Sequence, residues 1–381
     1  MANRMTQHGE GRLIQRHMPE LDVLRGCAIL AVLLYHGLYW SIGSSPNPLI
    51  NALVKATVGG WLGVNLFFVL SGFLITGILI DTKGRPDYYR RFYIRRALRI
   101  LPAYVAILVL LLLVRWLTLK SALLCLLFLA NYMDLFRYFH LGTYSPLWSL
   151  SVEEQFYLIW PAIVARLSVR TLMFLSLALC IIEPLLRLLS ASSLLPLGNP
   201  HTATYLIADN LALGALAAIF ARSRYGTLSN GVKVGLLLCL SGATIFAVGY
   251  SFGIAHRTNL VGDSLQTVPW NLLFTGVLLL LLGLQKPFFS CRYAAPLRFF
   301  GEVSYGLYLV HVMIFVRYDD MVRFITRAAW KQAFQQPLTR FFLCAGVSVM
   351  LAWLSRRFYE ERFLRMGRAP VQSEVREAAV K

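Results

Sequence analysis

Ionisable side chains inside apolar runs are the first candidates for chemistry. Each costs roughly 2.5–3.5 kcal/mol near a bilayer centre and survives there only with a partner or a task. Arg25 and His36 stand in the first apolar run, Glu153 and Glu154 in the fourth, Asp209 in the sixth and His311 in the ninth. A hydroxyl is a weak nucleophile at neutral pH, so a buried histidine near a carboxylate suits the removal of a hydroxyl proton. Arg25 and His36 are eleven residues apart, about three turns and about 16 Å of rise, which places them on one helix face. Taken alone, the pair is also compatible with an arginine that snorkels to headgroups and a satisfied core histidine.

Three further clusters extend the pattern. Arg90, Arg91, Arg95, Arg96 and Arg99 precede Leu101-Pro102. Arg95 or Arg96 falls one turn from Arg99, so the run offers a cationic face. Guanidinium forks match phosphates, and such a face suits a polyanionic donor such as coenzyme A; it equally suits topology signalling or contact with anionic lipid. Trp148-Ser149-Leu150-Ser151-Val152-Glu153-Glu154-Gln155-Phe156-Tyr157 is hard to justify as lipid-facing surface and suits either an inward polar cluster or an ordinary interfacial cap. One of its carboxylates is expected to orient or charge-balance a histidine. In the run Gly301 to His311, Ser304, Tyr308 and His311 recur at helical spacing as one polar stripe, suited to an inward face or to interhelical hydrogen bonds.

The elements that must position these groups are transmembrane helices. Of 381 residues, 57% are hydrophobic and 14% charged, and the mean hydropathy is +0.61, outside the soluble range. The expected fold is all-α, a polytopic transmembrane helix bundle. Apolar runs near 21–43, 59–80, 100–117, 147–166, 171–189, 205–221, 232–252, 268–285, 298–317 and 338–358 give about ten spans of about 20 residues. An eleventh run, Ser121 to Met133, is short and is followed by Asp134, Arg137 and His140. It is expected to be re-entrant or interfacial on the outer side.

Loop charge supports ten spans with both termini cytoplasmic. The cytoplasm then receives Arg4, Arg12 and Arg16, the Lys83 to Arg99 cluster, Arg166, Arg170, Arg222, Arg224, Lys233, Lys286, Arg292, Arg298 and the Arg356 to Arg368 tail. Arg317, Arg323, Arg327 and Lys331 fall outside as an exception. The expected division is a polar segment 1–20, a membrane domain 21–360 and a basic, polar tail 361–381. The first run lacks a small-residue cleavage site, so it is expected to stay in the mature protein.

The net charge of +19 is spread in short clusters between apolar runs, which argues for orientation and against nucleic acid as a partner. Six cysteines scattered singly, Cys27, Cys125, Cys180, Cys239, Cys291 and Cys344, predict neither a disulfide framework nor a metal site. They are expected to act as small core residues.

In order along the chain, five segments resemble the acyltransferase-3 family of integral membrane O-acyltransferases. They are Leu21-Asp22 through Leu24-Arg25-Gly26 with His36, Gly63 to Thr76 with Phe67-Phe68 and Ser71-Gly72, Phe92 to Pro102, Trp148 to Tyr157, and Gly301 to His311. The resemblance covers roughly residues 20 to 360. It implies transfer of an acyl group, expected to be acetyl, from acyl-CoA at the cytoplasmic side to a hydroxyl of an envelope or exported glycan, in the bacterial inner membrane. Acetyl-CoA is then a co-substrate, with no tightly bound cofactor. The implied acceptor is a carbohydrate, free or lipid-linked, such as O-antigen lipopolysaccharide, capsule or exopolysaccharide.

In this reading His36, Glu153 and Glu154 are catalytic. Arg25, Arg95, Arg96 and Arg99 hold the donor, while Ser71, Trp148, Ser149, Ser151, Tyr305, Tyr308 and His311 line the substrate channel. Asn65 and Ile207 depart from the family pattern, which often has Asp and Arg at those places. The sequence ends without the extracytoplasmic hydrolase-like domain of some members, so the membrane domain or an unlinked partner is expected to complete transfer. A transporter or flippase of a lipid-linked sugar is the alternative; its inverted repeats and matching broken helices are not evident.

Overall fold

The structure is a computed structural model that describes residues 11–15, 17–135, 146–192, 199, 201–253, 260–325 and 328–368. Arg4, Arg16, Arg137, His140, Arg327 and most of the 361–381 tail lie outside those residues. Among the described residues every regular element is helical, apart from an isolated bridge between Arg12 and Thr227. The longer helices are α1 (Pro19–Leu34), α2 (Gly63–Thr82), α3 (Tyr88–Leu113), α4 (Leu147–Arg166), α5 (Val169–Ala191), α6 (Asp209–Arg222), α7 (Leu228–Ser251), α8 (Thr267–Leu284), α9 (Ala295–Val322) and α10 (Pro337–Leu354). A π-helical turn, Tyr35–Trp40, continues α1, and another, Ser355–Glu360, leads from α10 into the helix Glu361–Arg368.

Every apolar run expected to span is helical, but the ten expected spans are not all long and apolar. Eight helical stretches are long and apolar enough to cross a membrane by length and composition, and the chain is an integral membrane protein with multiple spanning helices. The two that differ are α4 and α6. In α4 the run Glu153-Glu154-Gln155 dilutes an otherwise apolar helix, and most of its first two turns are buried within the bundle. In α6 the helix has 14 residues, about 21 Å at 1.5 Å per residue, short of the roughly 30 Å hydrocarbon core. Elsewhere large apolar side chains such as Ile181, Leu185, Leu237 and Leu240 stand exposed on outer faces, as a lipid-facing surface requires.

The 121–133 run does not span. It forms a short helix, Leu119–Leu126, and a 3₁₀ turn, Ala130–Leu135, folded against α3 and α4. Tyr104 Oη donates to the Cys125 carbonyl at 2.8 Å, and Gln155 Nε2 to the Phe128 carbonyl at 2.6 Å. Cys125 and Cys344 behave as small core residues, whereas Cys27 is exposed on α1.

Apolar burial between helices gains little when the alternative environment is lipid, so close backbone approach and polar contacts must set the packing. The α1–α9 pair depends on both. A Cβ on Gly26 would collide with the Leu297 carbonyl, and one on Gly301 with the Asp22 carbonyl. Two glycines facing across one seam bring these backbones together, and the seam carries Arg25 and His36 on one side and Ser304, Tyr308 and His311 on the other. Buried Ile29, Tyr104, Leu307 and Phe315 join α1, α3 and α9, while Phe68, Phe156, Trp160 and Leu211 join α2, α4 and α6.

Candidate active site

Regular α-helix runs from Pro19 to Leu34, so the three-turn phase from Arg25 holds to within two residues of His36, which is itself the second residue of the π turn. Such turns insert an extra residue and re-aim side chains, often where chemistry occurs. His36 Nδ1 lies 3.0 Å from the Val32 carbonyl and 3.3 Å from His311 Nε2. His311, fully buried, places its own Nδ1 within 3.0 Å of the Leu307 carbonyl and 2.9 Å of the Tyr308 carbonyl.

This geometry assigns the protons. Two carbonyl acceptors require His311 Nδ1 to carry hydrogen, which leaves its Nε2 as an acceptor. His36 Nδ1 then faces two acceptors and must also be protonated. The neutral His36 ring is left with its lone pair on Nε2, and His36 lines a cavity of about 270 Å³. A positioned lone pair on an open cavity is what a general base needs.

Neither glutamate pairs with that imidazole, which corrects the expected carboxylate–histidine contact: His311 and the Val32 carbonyl take the orienting place. Glu153 instead accepts from Ser71 Oγ at 2.8 Å and from Tyr157 Oη at 3.3 Å. Glu154 is buried, and its Oε1 has no partner among the described residues. The tyrosine also donates to Ser71 Oγ at 3.0 Å, and the Arg96 guanidinium lies over its ring at 5.3 Å.

These groups surround a middle cavity of about 100 Å³ lined by Arg25, Ser71, Arg96, Arg99 and Glu153. Ser149, Ser304, Tyr305 and Tyr308 line it too. Arg25 is paired with Asp22 at 3.2 Å. Tyr305 Oη donates to the Ile100 carbonyl at 2.8 Å, and the Tyr308 and Ser149 hydroxyls are 2.5 Å apart.

A third cavity, of about 370 Å³, is lined by Arg91, Arg95, Arg96 and Arg99. The three form one series. Arg96 and Arg99 line both the arginine and the middle cavity, while Val64, Phe68 and Tyr308 line both the middle and the His36 cavity. Helix α2 follows the series: Ile78 and Thr82 face the arginine end, Ser71 and Ile75 the middle, and Val64 and Asn65 the His36 end. From Val64 to Ile78 the helix rises roughly 20 Å, enough to link opposite halves of a bilayer.

Trp148 lines the His36 cavity. Ser151 and His311 do not line the passage. Ser151 is fully buried, donates to the Leu147 carbonyl and accepts from Ala130 N, tying the 3₁₀ turn to α4. His311 stands behind His36 as its orienting partner.

The sequence reading missed Glu183 and Arg187 on α5. Arg187 forms a two-pronged ion pair with Asp209 at 3.0 and 2.9 Å, and Glu183 Oε2 accepts from Asp209 N at 2.6 Å. Asp209 thus has an arginine partner from α5, although Ile207 stands where the family often has an arginine. The available signal was two ionisable residues four apart in an apolar run. Asn65, the other departure, donates to the Asn210 and Asn271 amide oxygens at 3.3 and 3.1 Å.

Residues 18–357 match the family model described as an acyltransferase domain. The chain belongs to the acyltransferase-3 family. Over 169 residues it is 37% identical to the peptidoglycan O-acetyltransferase OatA of Listeria monocytogenes, covering 40% of this chain and 25% of that protein. With the O-acetyltransferase OatA of Staphylococcus aureus it shares 25% identity over 397 aligned positions, 92% of this chain and 58% of that protein. A putative peptidoglycan O-acetyltransferase of Bacillus subtilis, YrhL, is 35% identical over 212 residues, 50% of this chain and 28% of that protein. The chain thus spans between about a quarter and somewhat over half the length of these relatives. No solved structure matches it.

Proposed function

We propose that this chain is a membrane O-acetyltransferase that takes acetyl from acetyl-CoA at the arginine end and gives it to a hydroxyl of a cell-envelope glycan at the His36 end. What supports the reading most is His36, whose Nδ1 is held by His311 and the Val32 carbonyl and which lines the far end of a series of cavities that begins among four arginines. Relatives named for peptidoglycan O-acetylation make peptidoglycan the first acceptor to test; none of these three names lipopolysaccharide.

Arg91, Arg95, Arg96 and Arg99 hold the donor's phosphates, since forked guanidinium donors suit phosphate oxygens. Arg25 guides the thioester arm through the middle cavity. Glu153 balances the charge of Arg25 and Arg96 there, with Ser71 and Tyr157 fixing its carboxylate. His36 Nε2 removes the acceptor's hydroxyl proton as the oxygen attacks the thioester carbonyl. The C–O bond forms, the C–S bond breaks, and the proton on the imidazolium passes to the departing thiolate. The arginine end faces the cytoplasm, where the donor is made, and the membrane is the bacterial cytoplasmic one. Segments 1–20 and 361–381 flank this membrane domain as polar cytoplasmic ends.

Mass analysis of envelope glycans tests the reading. A deletion strain is expected to lose an acetyl-sized increment that the wild-type gene restores. His36→Ala, present in the membrane at the wild-type level, is expected not to restore it. Restoration by that variant refutes the base assignment, and loss of glycan export without change in its acetylation identifies a transporter instead.

A further inference from the structure

The cavity beside His36 differs in chemistry from the arginine end. Its charged wall residues are Arg187 and Asp263, and neither is free. Arg187 is spent on Asp209 and on the Ser264 and Leu206 carbonyls, while Asp263 lies 3.1 Å from His201 Nε2. With Glu183 and Asp209 packed against Arg187, none of the described residues that line the space carries an uncompensated positive charge to meet an anionic guest.

What remains is aromatic surface and neutral hydrogen-bonding groups. Trp61 and Trp148 are among its lining residues. The buried Thr267 Oγ1 has no partner among the described residues. Asn65 spends its amide N–H groups on Asn210 and Asn271, and no described donor occupies its Oδ1. A buried polar group left unpaired carries a desolvation cost that a ligand hydroxyl can relieve. Aromatic walls with a few fixed polar groups are the make-up of a small-molecule pocket.

Resting on the proposed transfer reaction, we propose that this cavity is the acceptor subsite and takes a neutral pyranose ring, flat against Trp148 and Trp61, with its hydroxyl or acetamido groups bonded to Thr267 and Asn65. A carboxylate- or phosphate-bearing ring is rejected, because its charge would be stripped of water without a cationic partner.

Calorimetric titration of the detergent-purified full chain tests this with two probes, an N-acetylglucosamine oligosaccharide and a galacturonate oligosaccharide of equal length. The neutral oligomer is expected to bind about tenfold or more tightly than the charged one. Trp148→Ala is expected to weaken neutral-sugar binding by about tenfold and Thr267→Val by a few-fold, with binding of coenzyme A unchanged in both. Trp148→Phe, which keeps a flat face, is expected to retain most of the affinity.

Equal or tighter binding of galacturonate, no binding of the neutral oligomer, or unchanged sugar affinity in both Trp148→Ala and Thr267→Val overturns the proposal. If Trp148→Ala also loses coenzyme A and so fails to fold, Thr267→Val decides alone. His36→Ala separates the two claims: it is expected to lose transfer while keeping the preference for the neutral over the charged oligomer. Sugar binding with no transfer by the wild type removes the transferase reading and leaves the pocket standing.

Discussion

At the scale of single residues, the proton map around His36 makes the sharpest demand. His311 lines none of the three cavities, so its part is to hold the His36 ring with Nε2 unprotonated. His311→Phe leaves His36 Nδ1 with only the Val32 carbonyl, and the ring is free to turn. The expected result is a fall in kcat of about ten- to a hundredfold, with KM for acetyl-CoA unchanged and an altered pH–rate profile. His36→Ala is expected to cost about 10²–10⁴-fold, the usual contribution of a general base. Equal losses for both variants would place His311 in the chemistry itself. Arg187 belongs to another class. Only 2% exposed, it is bound to Asp209, and Arg187→Met leaves that buried carboxylate without a counter-ion, with only the Asn271 amide at 3.4 Å among the described residues. A loss of about 3–5 kcal/mol is expected, read as a lower thermal midpoint in detergent, and Arg187→Met with Asp209→Leu should recover part of it.

At the scale of elements, the α1–α9 seam decides whether the two histidines meet. The rings are 5.0 Å apart between centroids, a distance set by the Gly26 and Gly301 approaches. Gly301→Val must push α9 away from the Asp22 carbonyl, and it is expected to remove most acetyl transfer while the protein still reaches the membrane, measured as glycan ester content against membrane protein level. Much of this seam was legible beforehand: the eleven-residue spacing placed Arg25 and His36 on one face, and the Ser304, Tyr308, His311 stripe pointed inward as its periodicity required. The histidine pairing was not legible, because periodicity fixes the face of a helix and not the rotation and depth of its neighbour. For the same reason Glu153 could not be distinguished from His311 as the imidazole's partner. Helix α6 was read as a span from apolar composition alone, where its length turns on a break at Ala208 that the sequence marks only weakly.

For the whole molecule, the consequence of three linked cavities is that donor binding and transfer should be separable. The arginine cavity shares only Arg96 and Arg99 with the middle one, and the middle one is small, about 100 Å³. Ser71 lies on α2 in that neck, bonded to Glu153 and Tyr157, whereas Arg91 and Arg95 line only the first cavity. Ser71→Trp fills the neck with a large ring on a helix that still packs through Val69 and Phe73, both buried on neighbouring faces. Coenzyme A itself should then bind with near wild-type affinity by calorimetry, since its phosphates meet Arg91, Arg95, Arg96 and Arg99. Transfer of acetyl should fall by about a hundredfold or more, because misplacing the reacting groups by even an ångström costs that much. Ser71→Ala, which leaves the neck open, should lose far less. Were Ser71→Trp to transfer acetyl at the wild-type rate, the thioester would have to reach His36 by another route, and the series of cavities would not be the path of the reaction.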